Sequence, residues 1–361
     1  FMHKLPPVFI GNPVFERPGY NQNHPLSISR VGPVLNICRI LNWTNRANYL
    51  ENKAAPRETL INFHETTYIN ALISASESQA VSKDMRETFH LGTMENPIFP
   101  GLFERVAISV GGSILAAQNA LEGRIAYHPA GGTHHGRPNR ASGFCYSNDP
   151  VFAILELLNH GLQRIAYIDL DAHHGDGVED AFVDDERVLT ISIHEANRWP
   201  GTGMAHQKNA RNFPLSKGSG DDELNSIFKT QILPELNHFV PEALVVTCGA
   251  DVLKGDPLSS LTMSNLALWR IITKLAHMTP HAVILGGGGY NPWTTIRYWT
   301  GLWGHLNGFP IPSKLPDAAT AILRSCTCDL VDDDDINPLW FTTLIDHSEP
   351  QNAGGSNNEL T

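Results

Sequence analysis

The sequence predicts an α/β fold, a doubly wound parallel sheet with helices on both faces, and three observations predict it. Short apolar runs without polar alternation recur along the chain, as strands covered on both faces require. Segments of helical periodicity lie between them. Polar clusters rich in Asp, His and Gly follow several of the runs, and in such sheets ligands bind outside the carboxyl ends of the strands.

The runs are RIAY at 124–127, RIAYIDL at 164–170, VLTISIH at 188–194, ALVVTCG at 243–249 and HAVILGGGG at 281–289. DPVFAILELLNHG at 149–161 predicts a helix capped by Asp149, with Pro150 in its first turn and Gly161 at its end. Residues 221–239 and 264–278 carry the same spacing. Residues 1–348 are expected to form one catalytic domain, and the polar, glycine-rich stretch 349–361 a disordered tail. Asp332 to Asp335 reads as a solvated acidic turn, because it lacks the spaced oxygens and glycine of a calcium loop.

The chain has 361 residues, a formal net charge of -11, and 42% hydrophobic against 17% charged residues. That composition suits a large core and opposes direct nucleic-acid binding, which relies on Lys and Arg to neutralise phosphates. No apolar run reaches the roughly 18 residues of a spanning helix, so no membrane partner is expected. No charged-then-apolar leader opens the chain, and a cytoplasmic location is expected. The five cysteines are too few and scattered for a disulfide framework. Cys326 and Cys328 have the look of a redox or zinc element, but no second pair accompanies them.

YIDLDAHHGDG at 167–177 places charge directly after a buried run, which is costly unless a partner or a cation meets it. In an extended backbone Asp169, Asp171 and His173 share one face. A buried ion-pair network and a metal site both fit that pattern. CGADVLKGDP at 248–257 brings Asp251 to the same edge of the sheet. Asp171, His173 and Asp251 then make three N/O ligands with an open fourth position, the arrangement of a catalytic zinc site. Leu253 stands where a second ion would need a carboxylate, so one metal per chain is expected.

HPAGGTHHGRPNRASGFCYSND at 128–149 sets His134 and His135 in a glycine-rich loop, where adjacent rings can approach one point. Imidazole titrates near neutrality, as a general base needs. LGGGGYNP at 285–292 lacks the Lys-Ser/Thr of a phosphate loop. Its glycines allow close backbone approach, and Tyr290 either aims a phenol at a reacting carbonyl or packs beside a tight turn.

In this order HHGRPNRASGFCYSND, DLDAHHGDGVEDAF, GADVLKGDPL and GGGGYN resemble the zinc-dependent histone deacetylase family, its bacterial acetoin-utilisation type in particular, over residues 20–310. The resemblance implies a single-domain arginase/deacetylase-like fold with a parallel sheet of about eight strands. It implies Asp171, His173 and Asp251 as ligands of one Zn2+, with Fe2+ or Co2+ as alternatives. His134 and His135 become the catalytic imidazoles, oriented by Asp169 and Asp176, and Tyr290 the oxyanion donor. A structural K+ is implied at Asp169, Asp171, His173, Ser192 and the Ile193 carbonyl. Gly143, Phe144, Trp199 and Leu258 match the substrate tunnel, and Arg30 a product channel.

Two positions depart from the family pattern. Trp199 stands where many relatives carry Phe, and Glu95, in ENP, where the substrate-clamping residue is often Asp. The implied activity is removal of acetyl or other acyl groups from the lysine side chain of a peptide or protein. The alternative substrate is an acylated small amine such as an acetylpolyamine, which Leu258, in place of an acidic gatekeeper, disfavours. Two other classes share the fold. Leu253 opposes a binuclear manganese ureohydrolase, and His134, His135 and Tyr290 oppose a non-catalytic binding module. Oligomeric state is not legible in the sequence.

Overall fold

The computed structural model describes residues 2–347, so the expected tail at 349–361 lies outside the described residues. Eight parallel strands form one sheet in the order β2-β1-β3-β8-β7-β4-β5-β6. They are β1 Val8–Gly11, β2 Tyr49–Glu51, β3 Ile125–His128, β4 Ile165–Asp169, β5 Val188–Glu195, β6 Ala210–Leu215, β7 Ala243–Thr247 and β8 His281–Leu285.

Successive residues of a strand face opposite sides of a sheet, and here both sides are apolar. Ala166, Ile168, Leu244, Val246 and Ile284 join the core under the helices Val31–Ile40, Asn265–Ala276 and Pro292–Asn307. Ile165, Tyr167, Val245, Val283 and Leu285 join a second core under Leu102–Leu121 and Asp149–Asn159. Each Val, Leu or Ile among them contributes roughly 1.5–3 kcal/mol by leaving water. This double cover is why the central strands read as unbroken apolar runs.

All five strands anticipated from the sequence form, within one to four residues at their ends. The three that give no clear signal, β1, β2 and β6, lie toward the sheet edges. Tyr49–Glu51 is short and mostly exposed, and Ala210–Leu215 carries Pro214, which an edge strand tolerates. The expected helix over 221–239 is one helical rod with a wide π turn at Phe228–Ile232, between Asp221–Ile227 and Leu233–Phe239. Pro234 lacks an N–H and crowds the preceding turn, and the wider turn accommodates it.

The capping expectation at 149 needs correction. Asn148 is the N-cap, its side chain accepting from Val151 N–H. The Asp149 carboxylate instead accepts from Gly132 N–H at 3.0 Å, Thr133 N–H at 2.7 Å and Ser113 Oγ at 2.6 Å. It pins the loop that precedes the paired histidines. Asp332 to Asp335 are exposed around a short 3-10 turn at Asp333–Asp335, as expected. Among the described residues no helix is long and apolar enough to cross a membrane.

Candidate active site

Five neighbouring strands, β3, β8, β7, β4 and β5, release their loops at the same edge of the sheet. The loop after β3 holds His134 and His135, and that after β4 holds Asp171, His173 and Asp176. Trp199 follows β5, Asp251 and Asp256 follow β7, and Tyr290 follows β8. Residues more than 150 positions apart therefore meet at one place, as the parallel topology dictates.

Asp171, His173 and Asp251 each offer a ligand atom within 4.8 Å of the others, and they are the single group of this kind among the described residues. β4 ends at Asp169, so these groups lie on the turn beyond it rather than on a continuing strand. His173 Nδ1 is 2.9 Å from Asp251 Oδ2 and 3.3 Å from Asp171 Oδ1. Backbone donors fix both carboxylates: Gly288 N–H to Asp171 at 2.7 Å and Ala172 N–H to Asp251 at 2.9 Å. Burial, then Asp171, pushes Asp251 up to about 6. Burial also opposes charge on Asp171, but His134 and His173 outweigh it and hold that carboxyl well below its ordinary value.

Two fully buried carboxylates facing one imidazole form a donor set that fits a divalent cation, which would relieve their repulsion. Close backbone approach completes the cradle. A Cβ on Gly249 would lie 2.2 Å from Asp171 Oδ2, and one on Gly288 2.2 Å from Asp251 Oδ2. Leu253 is buried with no exposure, so no carboxylate stands there for a second ion.

The rings of His134 and His135 lie 3.9 Å apart. His134 Nδ1 is 2.6 Å from Asp169 Oδ2, and His135 Nδ1 is 2.7 Å from Asp176 Oδ1. Burial opposes charge on His134, yet Asp169, Asp171 and Asp176 together raise it to about 9. Burial and the neighbouring His134 push His135 down to about 4, against the pull of Asp176. Arg137, paired to Asp176 at 2.6 Å, draws part of that carboxylate's charge away from His135. The two neighbouring imidazoles are thus shifted in opposite directions.

Tyr290 shares one cavity with His134, His135, Gly143 and Phe144. Its backbone N–H donates to Asp256 Oδ2 at 2.8 Å, while Leu258 N–H donates to Asp256 Oδ1 at 2.8 Å. One buried carboxylate therefore ties the tyrosine loop to the Leu258 loop. Arg30 Nη1 donates to the Gly287 carbonyl at 2.9 Å, behind the tyrosine. Trp199, 44% exposed, meets the His135 ring edge-on at 4.7 Å, and a Cβ on Gly143 would press into the indole.

Glu95 is partly exposed and, like Trp199 and Leu258, is not among the residues that line the cavity. Its buried neighbour Asn96 instead holds the Phe144 backbone, accepting from Phe144 N–H at 3.0 Å. Ser192 and Ile193 lie on β5 beside Asp169, in register with it through Ser192, and Ser192 Oγ is 2.8 Å from His194 Nδ1. Cys326 and Cys328 are free thiols placed against the carbonyls of Ile322 and Tyr290.

A family model described as "Histone deacetylase domain" matches residues 24–306. The chain belongs to the histone deacetylase family. Members of that family are deacetylases that hydrolyse amide bonds, and this deacetylase is one of them. It is 33% identical to the acetoin utilization protein AcuC of Bacillus subtilis over 328 residues, 86% of this chain and 84% of that one. It is 35% identical to human histone deacetylase 1 over 82% of its length, but spans 64% of the human chain. A solved deacetylase homolog from Aquifex aeolicus superposes with a TM-score of 0.90 at 34% identity, over 95% of both chains. A solved homolog in complex with SAHA gives 0.89 at 34% identity. The expected fold and family are thereby established.

Asp149, Asp256 and Asn96 escaped the sequence reading. Asp149 looked like a cap and Asp256 drew no reading of its own, because nothing in a single sequence reveals which backbone N–H groups a carboxylate will accept.

Proposed function

We propose that this deacetylase removes acetyl or other acyl groups from the lysine side chain of peptides or proteins. The observation that carries the reading is the meeting of three potential metal ligands, two carboxylate-paired histidines and Tyr290 around one cavity. Asp171, His173 and Asp251 would hold one Zn2+, and Fe2+ or Co2+ suit the same donors. When bound, such an ion polarises the amide carbonyl and acidifies water.

His135, directed through Asp176, takes the proton of the attacking water at Nε2 and returns it to the departing amine. His134, paired with Asp169, supplies positive charge beside it. The Tyr290 hydroxyl donates to the substrate oxygen as that oxygen gains charge. Gly143, Phe144, Trp199 and Leu258 surround the lysine methylenes, which bury well against apolar walls. Glu95 holds the substrate backbone at the rim, and Arg30 lines the way out for the acid product. A structural K+ would sit by Asp169, Asp171, His173, Ser192 and the Ile193 carbonyl.

Amine release from acetyl-lysine peptides, longer-acyl peptides and acetylated polyamines tests the reading, with Tyr290→Phe as the blank. Peptide turnover lost in the variant is expected. Turnover of polyamines alone would transfer the function to small amines.

A further inference from the structure

The cavity that His134, His135 and Tyr290 line extends past them as a chamber bordered by Phe15, Arg30, Arg105 and Ser109, about 140 Å3 in all. Its wall carries Arg30 and Arg105, both partly buried, together with the exposed Arg17, and no carboxylate. Among the described residues neither Arg30 nor Arg105 forms an ion pair. Arg105 spends Nη1 on the carbonyls of Val14 and Arg17 and lies over the Phe15 ring. Arg30 spends Nη1 on Gly287 and lies over Trp299. A guanidinium has five N–H donors, so both retain donors that no protein oxygen uses. Ser109 Oγ, also on this wall, is buried without a partner.

Partly buried positive charge with unused donors is costly until an anion meets it, and planar guanidinium pairs best with carboxylate. We propose that the chamber selects the acyl group by a carboxylate at its far end, making lysine amides of short dicarboxylic acids, succinyl or glutaryl, the preferred substrates. This rests on the amide hydrolysis proposed above. The scissile carbonyl lies at Tyr290, and the chain runs past Gly132 and Thr133 so that its terminal carboxylate reaches Arg105 and Arg30, with Ser109 donating. Water adds to the carbonyl carbon, the C–N bond breaks, the amine takes the proton, and the dicarboxylate leaves. An acetyl group leaves both guanidiniums unmet.

Succinyl-lysine and butyryl-lysine peptides match in chain length and differ in the terminal carboxylate. The metal-loaded enzyme is expected to favour succinyl at least tenfold in kcat/KM. Arg105→Met should remove that preference, and Arg105→Lys, which keeps the charge, should restore part of it. A wild-type preference for butyryl, or a ratio that Arg105→Met leaves untouched, overturns the proposal. Free succinate is the second readout. If it inhibits through Arg105 while succinyl peptides gain nothing, the chamber receives only released acid and the substrate assignment is overturned. If no peptide is hydrolysed but succinate binds in an Arg105-dependent way, the chamber keeps its ligand and the hydrolytic reading fails instead.

Discussion

Tyr290 lines the cavity while its backbone N–H is held by Asp256, and the side chain and the anchor make separable predictions. Loss of one oxyanion donor typically costs about 10²–10³ in rate. Tyr290→Phe should therefore lower kcat by that factor and leave metal content unchanged, as metal analysis of the purified variant would show; a variant with most of its activity would remove Tyr290 from the chemistry. Asp256→Ala leaves the phenol in place but frees the loop that carries it. A fall in kcat with unchanged metal content is expected, and unchanged kcat would mean that the loop needs no such anchor. Why Asp251 was legible in the sequence and Asp256 was not is a matter of chemistry. A ligand announces itself by residue type at a strand end, whereas an anchor is defined by backbone donors from another loop, Tyr290 and Leu258 here.

At the scale of elements, the site depends on how closely the loop after β8 passes those after β4 and β7. Gly288 lies against Asp251, and a Cβ there would fall 2.2 Å from its carboxylate oxygen. Gly288→Ala should lose metal affinity as well as activity, and equilibrium metal titration would decide; full affinity would show that the loops can part without cost. The glycine run was visible in the sequence as a place of close approach, but what it approaches depends on β8 lying beside β7. Strand neighbours are fixed by helix crossings that one sequence does not spell out. For the same reason the central strands were legible, being buried on both faces, while Tyr49–Glu51, mostly exposed at an edge, was not.

For the whole molecule, acid and chelation should both destabilise. His64 is buried, its Nδ1 near the Arg137 carbonyl and its Nε2 near Ser147 Oγ, each at 2.8 Å. Burial pushes it down to about 4 from the ordinary 6.5. Between those values the unfolded chain binds a proton that the folded chain refuses, so stability falls as pH drops from 6.5 toward 4. The full effect is on the order of 3 kcal/mol, since each tenfold change in proton affinity is worth about 1.4 kcal/mol. Urea unfolding of His64→Gln should show a shallower fall over that window than wild type, and equal slopes would acquit His64. Chelation should lower the melting temperature in proportion to metal affinity, because the ion binds the folded site and relieves Asp171 and Asp251; an unchanged transition would mean that no ion is held there.

The strand order carries a temporal consequence. β8, the last strand in the chain, does not add to an edge but slots between β3 and β7. The middle of the sheet cannot close before β8 exists, and until it does, β3 and the loop bearing His134 and His135 have no strand between them and β7. During synthesis the early strands must wait, unzipped at their centre, for a segment more than 150 residues downstream of β3. Activity is thereby withheld from every partly made chain, and tight metal uptake should mark the moment at which folding is complete.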